Sequence, residues 1–197
     1  FSPSRTMQVA QKLYEAGLIT YMRTDSTNLS AQAISQILSF VEKKYGKEYA
    51  QIHAYKIKSK NAQEAHEAIR PTHINELNGG YTEEQKKLYK LIWERAVSSQ
   101  MSDAKLLKTK IVANIENDQI PNFDANGSRI LFPGWLLCDS SSRGEDVELP
   151  EVKVGDKLDL IELNSTEKAT EPPNRYSEAG LVKELEARGI GRPSTYA

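Results

Sequence analysis

The run Gly17–Ser26 contains the residues best suited to chemistry, in the order Gly-Leu-Ile-Thr-Tyr-Met-Arg-Thr-Asp-Ser. Residues at alternate positions of an extended segment point to one face, so Tyr21, Arg23 and Asp25 are predicted to share a face. A phenol beside a guanidinium suits attack on a phosphate, with Tyr21 as the nucleophile and Arg23 binding the phosphoryl oxygens. Asp25 would orient that arginine.

A packing role for Tyr21 is the alternative, because a tyrosine after an apolar run is most often a half-buried side chain. A free phenol ionises only near pH ~10, so a nucleophilic tyrosine needs a neighbouring positive charge at neutral pH. Arg23 would supply that charge and stabilise the transition state as well. The residues alone leave both interpretations open.

Helix signals surround this run. Ser4 can cap a helix that reaches about residue 16, with Gly17 just beyond its end, and residues 18–22 form a short strand-like run. Ser30 can cap a second helix, and a capping box at residues 82–85 predicts another. A short helical candidate at residues 63–69 is stopped by the proline that follows it.

The periodicity changes near Ala104. Residues 108–115 alternate apolar and polar side chains as a half-buried strand does, and residues 157–163 alternate again. Asn126 and Gly127 together predict a hairpin turn. These signals favour a β-rich segment.

The predicted fold class is α+β in three parts. Residues 1–103 form a helix-rich domain that carries Tyr21, and residues 104–171 form the β-rich segment. Residues 172–197 begin a further helical domain, whose first helix is capped by Ser177 and ends at Gly189.

The composition is that of an ordinary soluble domain, with 39% hydrophobic and 27% charged residues. No apolar run approaches the roughly 20 residues of a membrane helix, and no leader peptide is recognisable, so a cytoplasmic protein is expected. Cys138 is the single cysteine, which excludes internal disulfides. The net charge of −1 offers no basic footprint, so any DNA contact must come from a local cluster.

His66 begins a His-Glu-x-x sequence that would predict zinc, but Arg70 stands where the second histidine is needed, and no metal site is predicted. His66 is either structural or a hydrogen-bond donor to a phosphate. Arg70 either binds phosphate or pairs with Glu67, three positions earlier. Both pairs of alternatives stay open.

Residues 191–195, Gly-Arg-Pro-Ser-Thr, are a third candidate site. Arg192 can bind phosphate, and Ser194 can cap a following helix whose N–H groups would face an anion. A plain joint between two helices is the alternative.

Three segments, in this order, resemble the signatures of type IA DNA topoisomerases: residues 18–27, 64–72 and 172–197. The resemblance is loosest over residues 104–165. Met22 and the ending Gly-Arg-Pro-Ser-Thr-Tyr are most similar to the bacterial topoisomerase I branch. The topoisomerase half of a reverse gyrase is an alternative within the family.

The resemblance implies that Tyr21 cuts one DNA strand through a 5′-phosphotyrosine link and that Arg23 contacts the scissile phosphate. A strand would then pass, the break would be religated without ATP, and negative supercoils would relax. The implied DNA-contacting residues are Arg23, Asp25, His66, Arg70, Arg192, Ser194 and Thr195.

The resemblance also implies a partner for this chain. A Toprim domain, N-terminal to these residues in the same protein, would bind Mg²⁺ and supply a glutamate and a lysine to the site, so these residues alone are expected to be inactive. Single-stranded DNA in a negatively supercoiled duplex would be the substrate of a monomeric enzyme. Two other classes stay open: a non-catalytic module in which Tyr21 stacks on a base, and a structural fragment.

Overall fold

The computed structural model describes residues 1–55, 67–115, 120–191 and 195. Its described part contains four α-helices and one antiparallel pair of strands, which confirms the predicted α+β class. In chain order these elements are α1 (Pro3–Glu15), α2 (Ala31–Tyr45), α3 (Glu83–Ser98), β1 (Lys105–Ala113), β2 (Phe123–Phe132) and α4 (Glu178–Ala187).

The helix caps lie at the residues that the sequence predicts, with one exception. Ser30 caps α2, and the predicted capping box begins α3. The cap of α1 is Ser2, not Ser4, and its side chain accepts a hydrogen bond from the Arg5 N–H. Pro3 explains the shift, because it takes the first helical position, where its missing N–H has no effect.

The apolar core lies between α1, α2 and α3. Fully buried members come from all three helices and from Ile19 between them. Two aromatic side chains of α3 also fix the segment after residue 71: Trp93 donates to the Ile74 carbonyl at 2.8 Å and Tyr89 to the Glu76 carbonyl at 2.7 Å. The segment that contains Ile19, just before the candidate nucleophile, and the segment after residue 71 are therefore both attached to the core.

The hairpin of β1 and β2 differs from the prediction at its turn. Gly127 lies opposite Thr109 inside β2, so the turn predicted at Asn126 and Gly127 is wrong. Gly127 is needed there for a different reason: a Cβ atom would lie 2.7 Å from the carbonyl oxygen of Val147. The missing side chain allows the chain near Val147 to approach and to pair with the next residue of β2.

The strand predicted at residues 157–163 is also wrong, since this segment is irregular. Its apolar residues stay in solvent, with Ile161 97% and Leu160 76% exposed. Alternation produces a strand only where a neighbouring strand can accept its hydrogen bonds, and none does so among the residues that the structure describes. The helix predicted after Ser177 is confirmed as α4, and Gly189 follows its end with φ = 70°.

Residues 133–139 fold back onto the helical part of the molecule. Trp135 N–H donates to the Ser102 carbonyl at 2.9 Å, and Cys138 joins the apolar core. Gly134 has φ = 50° and lies against the backbone of residues 102–104, which leaves no room for a side chain. The core therefore includes residues from the predicted β-rich segment, whose limits at 104 and 171 stay a prediction.

Asp139 is a buried carboxylate within this returning segment, only 1% exposed. Burial opposes its ionisation, but hydrogen bonds from Ser141 and Ser142, at 2.7 and 3.0 Å, and the charge of Arg95 outweigh burial and lower its pKa. A lowered pKa means that the folded state gains stability from this group above the unfolded pKa of about 3.9 and loses it as pH falls through the folded value.

We therefore expect Asp139→Asn to destabilise the chain by about 1–2 kcal/mol at pH 7, because two hydroxyl donors lose a charged acceptor. Urea unfolding at pH 7 and at pH 3 measures this, and the difference from the unaltered chain should shrink at pH 3. Asp159→Asn, in an exposed irregular segment, is the matched control and should show no difference. A penalty for Asp139→Asn that is equal at both pH values would contradict the assignment.

Candidate functional site

The end of α1 determines where Tyr21 begins. Gly17 has φ = 71°, and the Leu18 N–H donates to the Leu13 carbonyl at 2.9 Å, which closes the helix and turns the chain. Ile19, 1% exposed, is then buried in the core. The candidate nucleophile therefore follows a fixed helix end by only a few residues.

The segment before Tyr21 pairs with the second motif. Thr20 N–H donates to the Arg70 carbonyl at 2.9 Å, and Thr72 N–H donates to the Leu18 carbonyl at 3.0 Å. The predicted strand-like run is thus one antiparallel bridge, between Ile19 and Pro71, and the pairing stops before Tyr21. Two of the three motifs lie side by side.

Thr20 strengthens this pairing with its side chain. Its hydroxyl donates to the Ala68 carbonyl at 2.8 Å and accepts from the Arg70 N–H at 2.9 Å. The sequence analysis missed Thr20, because threonine is common in strand-like runs and nothing local shows what its hydroxyl contacts. Thr20, the residue just before the candidate nucleophile, is therefore held against the second motif.

The alternation predicted after Tyr21 is present as far as Arg23, but Thr24 and Asp25 are both half-buried, so the alternation does not continue to Asp25. Tyr21 is 43% exposed and Arg23 is exposed, whereas Met22 between them is 5% exposed. The Tyr21 ring meets the ring of Tyr14, on the last turn of α1, in an edge-to-face contact with 5.2 Å between centroids and 65° between planes. The Tyr21 ring therefore contacts Tyr14, while much of the side chain is exposed to solvent.

Arg23 and Asp25 do not form the ion pair that would orient the arginine. In the described part of the chain, neither of the two side chains has a hydrogen-bonding or ionic partner. The guanidinium of Arg23 is therefore available to an outside anion.

Arg70 has its charge satisfied inside the molecule. Its Nε and Nη2 atoms donate to the two carboxylate oxygens of Glu67 at 2.8 and 3.0 Å, and its side chain is 15% exposed. Glu67 also accepts from the Ser30 N–H at 2.9 Å. Burial opposes ionisation of Glu67, but Arg70 and Ser30 outweigh it and lower the pKa of Glu67. The sequence left two roles open for Arg70, and the structure shows one of them, the ion pair with Glu67.

Several predicted site residues cannot be placed next to Tyr21. His66, Arg192 and Ser194 lie outside the described residues, as does most of the helical candidate at 63–69. Thr195 is described and exposed. Their contacts with DNA stay predictions.

The described part of the chain contains no group of three or more His, Cys, Asp or Glu side chains that could hold a metal ion. The described residues therefore offer no carboxylate cluster that fits a Mg²⁺ site. None of the described helices is both long and apolar enough to span a membrane.

Comparison with known proteins decides the family. A model of the DNA topoisomerase family matches residues 1–197. The chain belongs to the DNA topoisomerase family. It is 48% identical to DNA topoisomerase 1 of Pseudomonas aeruginosa over 204 residues and 45% identical to that of Helicobacter pylori over 211 residues, and each match covers 100% of this chain. The resemblance to bacterial topoisomerase I is confirmed.

A solved structure of a topoisomerase gives the same result. Full-length topoisomerase I from Thermotoga maritima superimposes on 100% of this chain with a TM-score of 0.80 and 33% identity, and the match covers 33% of that structure. The chain spans 23% of the length of the Pseudomonas relative and 28% of the Helicobacter relative. A topoisomerase of this family thus extends well beyond the matched region.

The hydrogen-bonding role of Thr20 beside the candidate nucleophile can be tested by measuring stability. Thr20→Val keeps the shape of the side chain but removes both hydrogen bonds, and it leaves the Arg70 N–H with one acceptor fewer. We expect a loss of about 1–3 kcal/mol in urea unfolding. Thr20→Ser, which keeps the hydroxyl, should lose clearly less, and equal losses in the two variants would contradict the hydrogen-bonding role.

Proposed function

We propose that this chain carries the nucleophile of a type IA DNA topoisomerase and that Tyr21 is that nucleophile. The observation that carries the proposal is the exposed Tyr21 phenol, which directly follows a paired segment and precedes Arg23, a guanidinium that has no partner among the described residues. Membership of the topoisomerase family supports the substrate class, which is DNA. Because the relatives are much longer, the activity is proposed for a full-length enzyme that contains these residues.

The proposed reaction exchanges one phosphate ester for another. The Tyr21 oxygen attacks a backbone phosphorus of one DNA strand, the bond from phosphorus to the 3′ oxygen breaks, and that oxygen leaves as a 3′-hydroxyl after gaining a proton. The phenolic proton is lost to solvent or to a neighbouring base. Since an ester is retained, the reverse attack by the 3′-hydroxyl religates the strand without ATP, and strand passage between the two steps relaxes negative supercoils.

Arg23 is proposed to stabilise the charge that develops on the phosphoryl oxygens. A guanidinium binds two such oxygens at once, and it needs no rearrangement if no carboxylate already holds it. Arg23 meets that condition among the described residues, whereas Arg70 is paired with Glu67. Arg70 could bind a phosphate only if its ion pair with Glu67 were broken. We therefore infer that the main role of Arg70 is to hold the segment that contains Glu67 in place.

The remaining parts of the proposal come from the family. Arg192, Ser194 and Thr195 are proposed to contact the DNA backbone, His66 to donate to a phosphate oxygen, and Asp25 to take part in DNA binding. Mg²⁺ and the Toprim domain that would bind it are proposed partners outside these residues, and the complete enzyme is proposed to be a cytoplasmic monomer that acts on single-stranded regions.

We expect Tyr21→Phe in the full-length enzyme to abolish the covalent protein–DNA adduct and supercoil relaxation while single-stranded DNA still binds, because only the attacking oxygen is lost. Arg23→Ala should lower the cleavage rate about 10²- to 10³-fold, as the loss of one charge-stabilising group does. Denaturing gels with a labelled oligonucleotide measure the adduct, and a plasmid assay measures relaxation. Arg143→Ala, at an exposed arginine paired with Asp146, is the charge-matched control.

Each other outcome points to a different class. An adduct that survives in Tyr21→Phe would contradict the nucleophile assignment. DNA binding without any adduct from the unaltered enzyme would indicate a non-catalytic single-stranded DNA-binding module. The absence of salt-dependent DNA binding at low salt would indicate a structural fragment.

A further inference from the structure

Tyr14 is the aromatic neighbour of the proposed nucleophile. Its ring lies 5.2 Å from the Tyr21 ring, at 65°, and the two side chains are 41% and 43% exposed. Edge-to-face contacts of this kind are the preferred geometry of aromatic pairs, because the positive edge of one ring faces the negative face of the other. The contact lies at the surface, where water would otherwise surround both rings.

The position of Tyr14 is fixed by its helix. Its carbonyl accepts from the Gly17 N–H at 2.8 Å, in the turn that ends α1. The preceding residue, Leu13, is 0% exposed and anchors the same turn in the core. The Tyr14 ring is therefore attached to a rigid support that does not depend on DNA.

Tyr21, by contrast, is fixed by its backbone only up to Thr20. In the described part of the chain, no hydrogen bond holds the Tyr21 hydroxyl, and its ring has one aromatic contact, with Tyr14. Two rotatable bonds separate the Tyr21 backbone from the reactive ring, so an unsupported side chain would exchange between staggered rotamers. Attack on phosphorus requires one of them, since reaction rates depend steeply on the geometry of attack.

We propose that Tyr14 is a positioning residue that holds the Tyr21 ring in its attacking rotamer. This inference rests on the proposed function of Tyr21. The contact is made by the rings, and the Tyr14 hydroxyl has no hydrogen-bond partner among the described residues. The ring of Tyr14 is therefore the part that matters, and Tyr14 forms and breaks no bond in the reaction.

The test is single-turnover cleavage of a labelled single-stranded oligonucleotide by the full-length enzyme with Mg²⁺, with the enzyme in saturating excess over the DNA. Tyr14→Ala should lower the cleavage rate about 2- to 10-fold, the factor that corresponds to one aromatic contact. The dissociation constant for the oligonucleotide should not change. Tyr14→Phe should restore the rate, and Tyr81→Ala, at a tyrosine that is 88% exposed elsewhere, should leave it unaltered.

A second measurement detects the ring contact without DNA. With 3-fluorotyrosine incorporated at position 21, Tyr14→Ala should shift the ¹⁹F resonance, because the neighbouring ring current is lost, whereas Tyr14→Phe should leave it nearly in place. This readout is independent of cleavage and applies even where a variant cleaves too slowly to follow.

Full-rate cleavage by Tyr14→Ala would overturn the inference, and the loss of the adduct in Tyr21→Phe would still support the proposed function. Cleavage by Tyr14→Phe as slow as by Tyr14→Ala would also overturn it, since the hydroxyl would then be the important group. So would weaker DNA binding with an unchanged saturated rate, which would make Tyr14 a binding residue. An adduct in Tyr21→Phe would reject the proposed function itself.

Discussion

The antiparallel pairing of residues 17–20 with residues 68–72 is the constraint on which the rest of the site depends. It joins two segments that are about 50 residues apart in the chain, through two backbone hydrogen bonds and the hydroxyls of Thr20 and Thr72, the second of which donates to the Gly17 carbonyl. Ile19, in the middle of the pairing, is buried in the core of the three helices. The backbone before Tyr21 is therefore part of the core, while the Tyr21 ring extends from its edge into solvent.

Charge is distributed unevenly around this pairing. Glu67 accepts hydrogen bonds from Arg70 and from the N–H of Ser30, the cap residue of α2, so the charge of Arg70 is neutralised where it holds the second motif. Arg23 has no such carboxylate among the described residues. The chain has a net charge of −1, so steering of DNA over long distances is not expected. Among the described residues, the guanidinium of Arg23 is a positive charge without a carboxylate partner, two positions after the exposed Tyr21.

Much of the local structure could be predicted, because its causes are local. The caps at Ser30 and Ser177 and the helix end at Gly17 depend on hydrogen bonds that span only a few residues. The turn predicted at Asn126 and Gly127 failed for the opposite reason. Gly127 is required by a segment some 20 residues further along, which passes where a side chain would be, and a short sequence window contains no information about that approach.

By itself, the sequence determined the caps of α2, α3 and α4, the end of α1 at Gly17, the alternation from Tyr21 to Arg23 and the order of the three motifs, since each of these depends on residue type and spacing. Only the tertiary structure decided that Arg70 pairs with Glu67, that Thr20 holds the second motif, and that the Tyr21 ring rests on Tyr14. When a side chain has several possible partners, it binds the one that the folded backbone brings within reach. That distance is set by the packing of the whole core and not by neighbours in the chain.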